Sequence, residues 1–486
     1  MKIDKVIDFV RWLFAVPFSV YMGVSVGVVL AVLAFALVRH ILHKKKELGR
    51  LRKRTYRRNE KKGGFVFGRL KNSFKYICLP MGADWNLAVF GAPGLGKTQM
   101  LISSLRAWVN KGSFLAVDVA GDLETAVYSR SKLTYDPAGQ CGEPYDIFAE
   151  IDAASESEKY RLIQKLVYCL APDPGHDSDA EKYYFQLLRV LTEACFQHFY
   201  RLNFDFADVC KAVVSKSMSE LLYELADSET DLTLQLISSL RDIPETNRAS
   251  LKGDVDEVLR PFANHHHISK SLRRGGIRPS DIEKHSIFLR IPLQEKDQYM
   301  PVLKIIITQT LRYLGTRPFG AAPVLVALDE YANLSIDEKT ILEAAMTLRK
   351  HSVNLCIINQ SLISISRIHS KQAMMELMDL CLYKAVYSAG DVDSQEYFRK
   401  LGGTKKRKVT KKTVTRRWDD AGRQKDGGSE SFKEDYEVVD VIKSADLASL
   451  EDDIILFHPA GEPLRLRKVM AWKDKRYFKR VRQFKK

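Results

Sequence analysis

Two short runs, far apart in the chain, hold the groups that phosphoryl transfer needs. The first, Gly91-Ala92-Pro93-Gly94-Leu95-Gly96-Lys97-Thr98, fits the pattern G-x-x-x-x-G-K-S/T. Glycines at this spacing let consecutive backbone N–H groups close around a phosphate, with the positive end of a helix behind them. The lysine and hydroxyl that end the run predict that Lys97 contacts the β and γ phosphates and that Thr98 ligates Mg²⁺. ATP and Mg²⁺ are the expected ligands. The second run is Val324-Leu325-Val326-Ala327-Leu328 leading into Asp329-Glu330. An apolar strand that ends in two carboxylates places Asp329 to hold the metal through water and Glu330 to orient and polarise an attacking water. Gln360 follows a further apolar run, LCIIN. Spacing alone suits a γ-phosphate sensor there as well as a surface glutamine.

These groups need a scaffold. Trp85 to Phe90 (WNLAVF) reads as a buried strand before the glycine run, and QMLISSLRAWV reads as a helix after it. Further short apolar runs at Phe114–Val119, Ser286–Ile291, Val353–Ile358 and Leu382–Tyr387 alternate with helix-period or turn segments. The pattern predicts a mostly parallel sheet covered on both faces, with the site at the C-terminal strand ends. The expected class is α/β: a RecA-like P-loop nucleotide-binding domain with an inserted all-α domain and one N-terminal transmembrane helix. Its parts are residues 63–150, an inserted helical region over 151–283, where the β pattern is almost absent, and 284–472, which includes a basic, flexible loop at 402–436. Aromatic residues at helical spacing in the insertion read as core.

Charge is distributed unevenly over the 486 residues, whose formal net charge is +16. Residues 1–62 carry 15 basic and 4 acidic side chains, 401–417 carry 8 and 0, and 465–486 carry 11 and 1. The body is therefore acidic and the basicity lies in appendages, so the overall charge does not by itself argue for nucleic-acid binding. Composition, at 45% hydrophobic and 28% charged, excludes wholesale disorder and a polytopic membrane protein. Leu13 to Val38 is 26 residues without a charge, enough for one tilted transmembrane helix. Twelve Lys/Arg in residues 39–62 predict a cytoplasmic body by the positive-inside rule, behind a single-pass anchor. A cleaved signal peptide fits less well, because the stretch is long and the basic cluster behind it would hinder export. A basic tail, 473–486, closes the chain.

The seven cysteines are scattered without a CxxC pair, which predicts reduced thiols and no zinc site. The run His265-His266-His267 lacks a second ligand cluster and reads as a polar loop.

Together these motifs resemble the cytoplasmic ATPases of type IV secretion and conjugation, the TraG/TraD type of coupling protein. The resemblance runs in order over most of residues 60–480. FVFGRLKNSFKYICLPMGADWNLAVFGAPGLGKT is similar to the family's approach to its P-loop, and Asp329-Glu330-Tyr331-Ala332-Asn333-Leu334 to its D-E-F-A-N-L motif. SQEYFRKLGGTKKRKVT and LASLEDDIILFHPAGEPLRLRKVMAWKDKRYFK are similar to its later segments, the last to its closing strands and basic-aromatic tail. By position, the resemblance implies P-loop roles for Lys97 and Thr98, metal and water-activating roles for Asp329 and Glu330, and γ-phosphate sensing for Gln360. It also implies that Arg349, in TLRKHSVN, is a finger presented to a neighbouring subunit's nucleotide. The chain departs from the family pattern in three ways: the wording GAPGLGKT, the lack of a lysine in Asp118-Val119-Ala120-Gly121-Asp122, and one expected transmembrane helix where many members have two.

The implied function is a membrane-anchored, hexameric ATPase that recruits relaxase-bound single-stranded DNA to a type IV secretion channel and drives its conjugative transfer. Lys405, Lys406, Arg407 and Lys408 are candidate DNA contacts, and a solvated basic loop is an equal reading of them. An ATPase for effector proteins without a DNA role is the nearest alternative. An FtsK-like double-stranded DNA translocase is another, which the run DEYANL and the closing block argue against.

Overall fold

The computed structural model describes residues 35, 38, 56–57, 64–70, 76–109, 111–119, 121–139, 142–172, 179–228, 231–241, 243–418 and 424–473. The chain divides into two compact units, Met1–Thr55 and Tyr56–Lys486. Of the first, Phe35 and Val38 are described, both helical and exposed. The rest of the apolar stretch 13–38 and the tail beyond Lys473 lie outside the described residues. Among those described, no helix is long and apolar enough to cross a membrane.

The second unit is built on a twelve-stranded sheet. In chain order its first ten strands are β1 (Tyr56–Arg57), β2 (Phe65–Leu70), β3 (Tyr76–Leu79), β4 (Leu87–Phe90), β5 (Ser113–Asp118), β6 (Lys132–Tyr135), β7 (Ser286–Arg290), β8 (Val324–Leu328), β9 (Val353–Asn359) and β10 (Tyr383–Val386). Strands β11 (Thr404–Trp418) and β12 (Gln424–Asp440) form a separate ribbon, and β13 (Asp453–Phe457) and β14 (Leu464–Lys468) return to the sheet. The spatial order is β1-β3-β2-β14-β13-β10-β4-β9-β8-β5-β7-β6. From β10 to β6 every pair is parallel. These strands are continuous apolar runs because both faces are covered: every residue of β4, β8 and β9 is buried. The other five strands form an antiparallel wing added beyond β10. The sheet is thus less uniformly parallel than the sequence pattern suggests. Its wing joins β1 to β3 with β13 and β14, segments from opposite ends of the chain.

Helix α1 (Lys97–Trp108) follows β4, and short α2 (Asp122–Ala126) follows β5. Between β6 and β7 lies a block of helices: α3 (Ala149–Asp152), α4 (Glu156–Leu170), α5 (Asp179–Arg201), α6 (Phe206–Val214), α7 (Met218–Ala226), α8 (Asp231–Arg241), α9 (Glu245–Asn264) and α10 (His266–Ser271). Their apolar faces and the sheet's share one continuous buried cluster that runs from Phe90 to Phe196 and Leu259. Local signals set the boundaries. Ser217 and Glu220 form a reciprocal cap on α7, and His265, first of the three adjacent histidines, caps α10 by accepting the Ile268 N–H at 3.3 Å.

Helix α11 (Lys296–Gly315) precedes β8, and α12 (Glu338–Thr347) follows it. Helices α13 (Leu362–Ser366) and α14 (Lys371–Leu380) join β9 to β10, and α15 (Val392–Gly402) leads out of β10. The stretch read from sequence as a flexible basic loop is instead the two-stranded ribbon, β11 antiparallel to β12. Threonines and valines between the lysines favour extended backbone, and β12 brings an excess of carboxylates to the ribbon, though Lys411 stands opposite Lys433 in the register. Arg407 faces Glu437, and Lys408 pairs with Glu434 at 2.5 Å.

Candidate functional site

Strand β4 delivers the chain into the glycine run at the C-terminal end of the parallel strands, and α1 begins at Lys97. Gly91 has φ 157°, and a Cβ there would lie 2.6 Å from the Cβ of Tyr387. Gly96, the residue before α1, has φ 95°, in the left-handed region. The turn therefore requires glycine at both positions. Ala92 and Pro93 are exposed, as is Gly94, where an added Cβ would meet nothing within 4 Å. Leu95, Lys97 and Thr98 are half-buried.

Lys97 Nζ donates to the carbonyl oxygens of Gly91 at 2.6 Å and Ala92 at 3.0 Å. Burial lowers its pKa, against the opposing charges of Asp329 and Glu330. The glycine run and the carboxylate turn converge, although 231 residues lie between Lys97 and Asp329: the Gly91 N–H and the Ala332 N–H both bond to Asn359. Strand order explains it: β9 stands between β4 and β8, so the ends of all three open onto one site.

Burial pushes the Asp329 carboxyl up to about 6, against the Glu330 N–H it accepts and the charge of Lys97. Glu330 holds φ 49° and ψ 43°, a left-handed conformation that costs a non-glycine residue of order 1 kcal/mol. Asn333 Nδ2 donates to its Oε2 at 2.7 Å, and Lys296 Nζ, at the start of α11, lies 3.8 Å away.

Two residues at this site gave no signal in the sequence reading. Asn359, the last residue of β9, accepts the Gly91 N–H through its backbone oxygen at 3.3 Å and the Ala332 N–H through Oδ1 at 3.0 Å. One buried asparagine thus holds the glycine run and the carboxylate turn together. Ser388, just beyond β10, accepts the Ala92 N–H at 3.0 Å. Only the register of strands distant in sequence brings either residue there.

Gln360 is exposed and directly follows Asn359, which puts it at the mouth of the site. Arg349 is not brought to it. It lies in a turn of 3₁₀ helix, Leu348–His351, before β9, so the length of that strand separates it from the P-loop. There it pairs with Asp84 Oδ1 at 3.2 Å. Lys405, Lys406, Arg407 and Lys408 are exposed on β11. Asp118, where the family lysine motif has its acidic start, is buried and accepts the N–H groups of Leu123 at 3.2 Å and Glu124 at 2.9 Å. It anchors α2, and burial raises its pKa.

No curated protein matches the sequence. Solved structures share the fold at low identity. The bacterial conjugative coupling protein TrwBΔN70, unbound, has 14% identity and a TM-score of 0.63 over 80% of this chain and 87% of that one. TrwB in complex with ADP and Mg²⁺ has 14% identity and 0.63 over 81% and 87%; TrwB with a non-hydrolysable ATP analogue has 13% and 0.62 over 81% and 87%. At the level of sequence, the family model described as type IV secretory system conjugative DNA transfer matches residues 42–486, nearly the whole chain, and the protein belongs to that family.

Proposed function

We propose that this chain is an ATPase that couples hydrolysis to the conjugative transfer of single-stranded DNA, with its covalently attached relaxase, into a type IV secretion channel. The observation that carries the reading is the convergence of Lys97 with Asp329 and Glu330 at the C-terminal edge of a parallel sheet, in a member of a conjugative DNA transfer family. The same fold in TrwB holds ADP and Mg²⁺. The residues here fit both ligands: a glycine turn with its tip exposed at Gly94, a partly desolvated ammonium, and a carboxylate that burial destabilises as a lone anion.

In this reading the N–H groups of residues 91–98 enclose the β-phosphate, and Lys97 leaves the carbonyls of Gly91 and Ala92 for the β and γ phosphates. Thr98 and Asp329 would hold Mg²⁺, which when bound would neutralise charge developing on the phosphates. Glu330 orients and polarises the attacking water, and Gln360 senses the γ-phosphate from the end of β9. Arg349, at the opposite end of the sheet, acts on the nucleotide of a neighbouring subunit in a hexameric ring. The apolar stretch 13–38 anchors the ring in the inner membrane, with the basic segment behind it on the cytoplasmic side. Lys405 to Lys408 add a DNA contact that acidic β12 partly offsets.

The test is the ATPase rate of the purified chain with single-stranded DNA, with duplex DNA and with neither, across a salt series. Stimulation by single strands that fades with salt is expected. An assembled, ATP-hydrolysing chain that answers to no nucleic acid would replace DNA by protein cargo.

A further inference from the structure

A second feature lies apart from the nucleotide residues. Between α4 of the helical block, α11, α12 and the segment before α14 runs a groove of about 1640 Å³. That exceeds the ~300–1,000 Å³ typical of a small-molecule site, which leaves room for a segment of a chain molecule. Six cations line it: Lys165, Lys304, Arg312, Lys339, Arg367 and Lys371. Three carboxylates also reach it, and two are engaged. Asp337 caps α12 by accepting the Thr340 N–H at 3.0 Å, and Glu338 accepts the N–H of Ser370 at 2.9 Å. None of Lys165, Lys304, Lys339, Arg367 and Lys371 forms an ion pair among the described residues. Tyr168 also lines the groove, 45% exposed, with the Arg189 guanidinium 4.5 Å from its ring centre. Unpaired cations in one groove, with a partly exposed ring beside them, match the way single strands are held: cations follow the phosphates and rings take the bases.

The groove also touches the catalytic turn. His369 lines it, is 6% exposed, and has no partner for Nδ1. Its Nε2 shares a 2.5 Å hydrogen bond with the hydroxyl of Tyr331, the fully buried residue next to Glu330. Two residues beyond His369, Lys371 begins α14, whose cap is Ser370. A ligand held by Arg367 and Lys371 therefore acts on the segment that holds Tyr331.

We infer that this groove binds the backbone of single-stranded nucleic acid, and that its occupancy is transmitted to the Asp329-Glu330 turn through the His369–Tyr331 hydrogen bond. The inference rests on the DNA-stimulated ATPase proposed above and assigns where the stimulus enters. Lys339, Arg367 and Lys371 are exposed, so the combined variant Lys339→Gln, Arg367→Gln, Lys371→Gln tests the site without burying a changed group. With fluorescent oligothymidine and the full chain, its affinity should fall about tenfold or more. The slope of log K against log salt should flatten by about 2, near 0.7 for each phosphate no longer neutralised. His369→Leu should keep oligothymidine affinity and lose the DNA-dependent rise in kcat at unchanged KM for ATP. His369→Gln, which keeps a polar partner for Tyr331, should restore the rise.

Wild-type affinity and salt slope in the triple variant would overturn the groove. So would binding of polyglutamate in preference to oligothymidine. Full stimulation in His369→Leu would overturn the route to the turn. A wild-type chain that hydrolyses ATP but neither binds nor answers to oligothymidine would instead overturn the DNA reading itself.

Discussion

Asn354 and Asn359 stand near the two ends of one strand, β9, both buried, and their surroundings differ in kind. At the N-terminal end Asn354 is fully used. Its Nδ2 donates to the carbonyls of Ala83 at 2.8 Å and Trp85 at 2.9 Å, and its Oδ1 accepts the Gly82 N–H at 3.0 Å. Asn86 close by donates to Ala345 O at 2.7 Å and accepts the Leu355 N–H at 3.3 Å. At the C-terminal end Asn359 bridges two loops but leaves its Nδ2 without a partner, next to a left-handed Glu330 and an Asp329 whose ionisation burial opposes. The side-chain amide at one end of the strand has its hydrogen bonds satisfied, whereas the one at the other leaves a donor unspent beside two carboxylates; a left-handed residue stands at both ends, Ser352 at φ 59° and Glu330 at φ 49°. An unspent buried donor costs stability unless a ligand uses it, and such groups gather where a charged substrate is to be bound.

The sharpest tests of this contrast act at the C-terminal end. Lys97→Ala should abolish nucleotide binding, read by titration with a fluorescent ATP analogue. Glu330→Gln should keep that binding and lower turnover by ~10²–10⁴-fold, the usual contribution of a positioned general base. Equal loss of binding in both variants would mean that the two residues do not divide the work in this way.

Arg349 is the residue that could break the contrast, because it belongs to the end where the amide is satisfied and is assigned a catalytic task. If it is a finger for the neighbouring subunit, Arg349→Ala should cost ~10³-fold or more in turnover of the assembled ring. ATP affinity should stay the same, and dilution to monomers should erase the difference. A loss of equal size in monomers would remove the trans role and leave Arg349 as a partner for Asp84.

Asn359→Leu and Asn354→Leu compare the two ends directly. The first frees the Ala332 N–H and loosens the carboxylate turn, so kcat should fall about tenfold, equivalent to ~1.4 kcal/mol. The second leaves the Trp85 carbonyl and the half-buried Gly82 N–H without their partner, while the Ala83 carbonyl keeps the Trp85 N–H, so unfolding in urea should show a loss of about 2 kcal/mol. Its kcat per folded molecule should be unchanged. If the two phenotypes were exchanged, the division of labour along β9 would be wrong.

How legible all this was in the sequence follows from the same geometry. The glycine run and Asp329-Glu330 could be read because each is contiguous and sits at the end of an unbroken apolar strand, and the central strands because burial on both faces makes them such strands. The antiparallel wing was largely hidden, since β2 and β14 are segments separated by nearly the whole chain and only pairing shows them to be neighbours. The ribbon was hidden because its lysines dominate composition, while the β-branched Val409, Thr410, Thr413, Val414 and Thr415 and pairing with β12 favour a strand. Asn359 and the lysines of the groove carry no local signature. They acquire their roles from strand order and from helices that meet only in the folded chain.

The smallest effect is the one that fixes what Arg349 does. Asp84 is 73% exposed on its side chain, so its 3.2 Å pair with Arg349 contributes little in water-screened surroundings. Asp84→Asn should leave the unfolding midpoint almost where it was, and with it ring turnover, since the guanidinium keeps its charge and a polar neighbour. A fall in ring turnover as deep as that of Arg349→Ala, with stability unchanged, would show instead that Asp84 aims the arginine. The N-terminal end of β9 would then serve catalysis too, with its ion pair holding a group in place for the site of another copy.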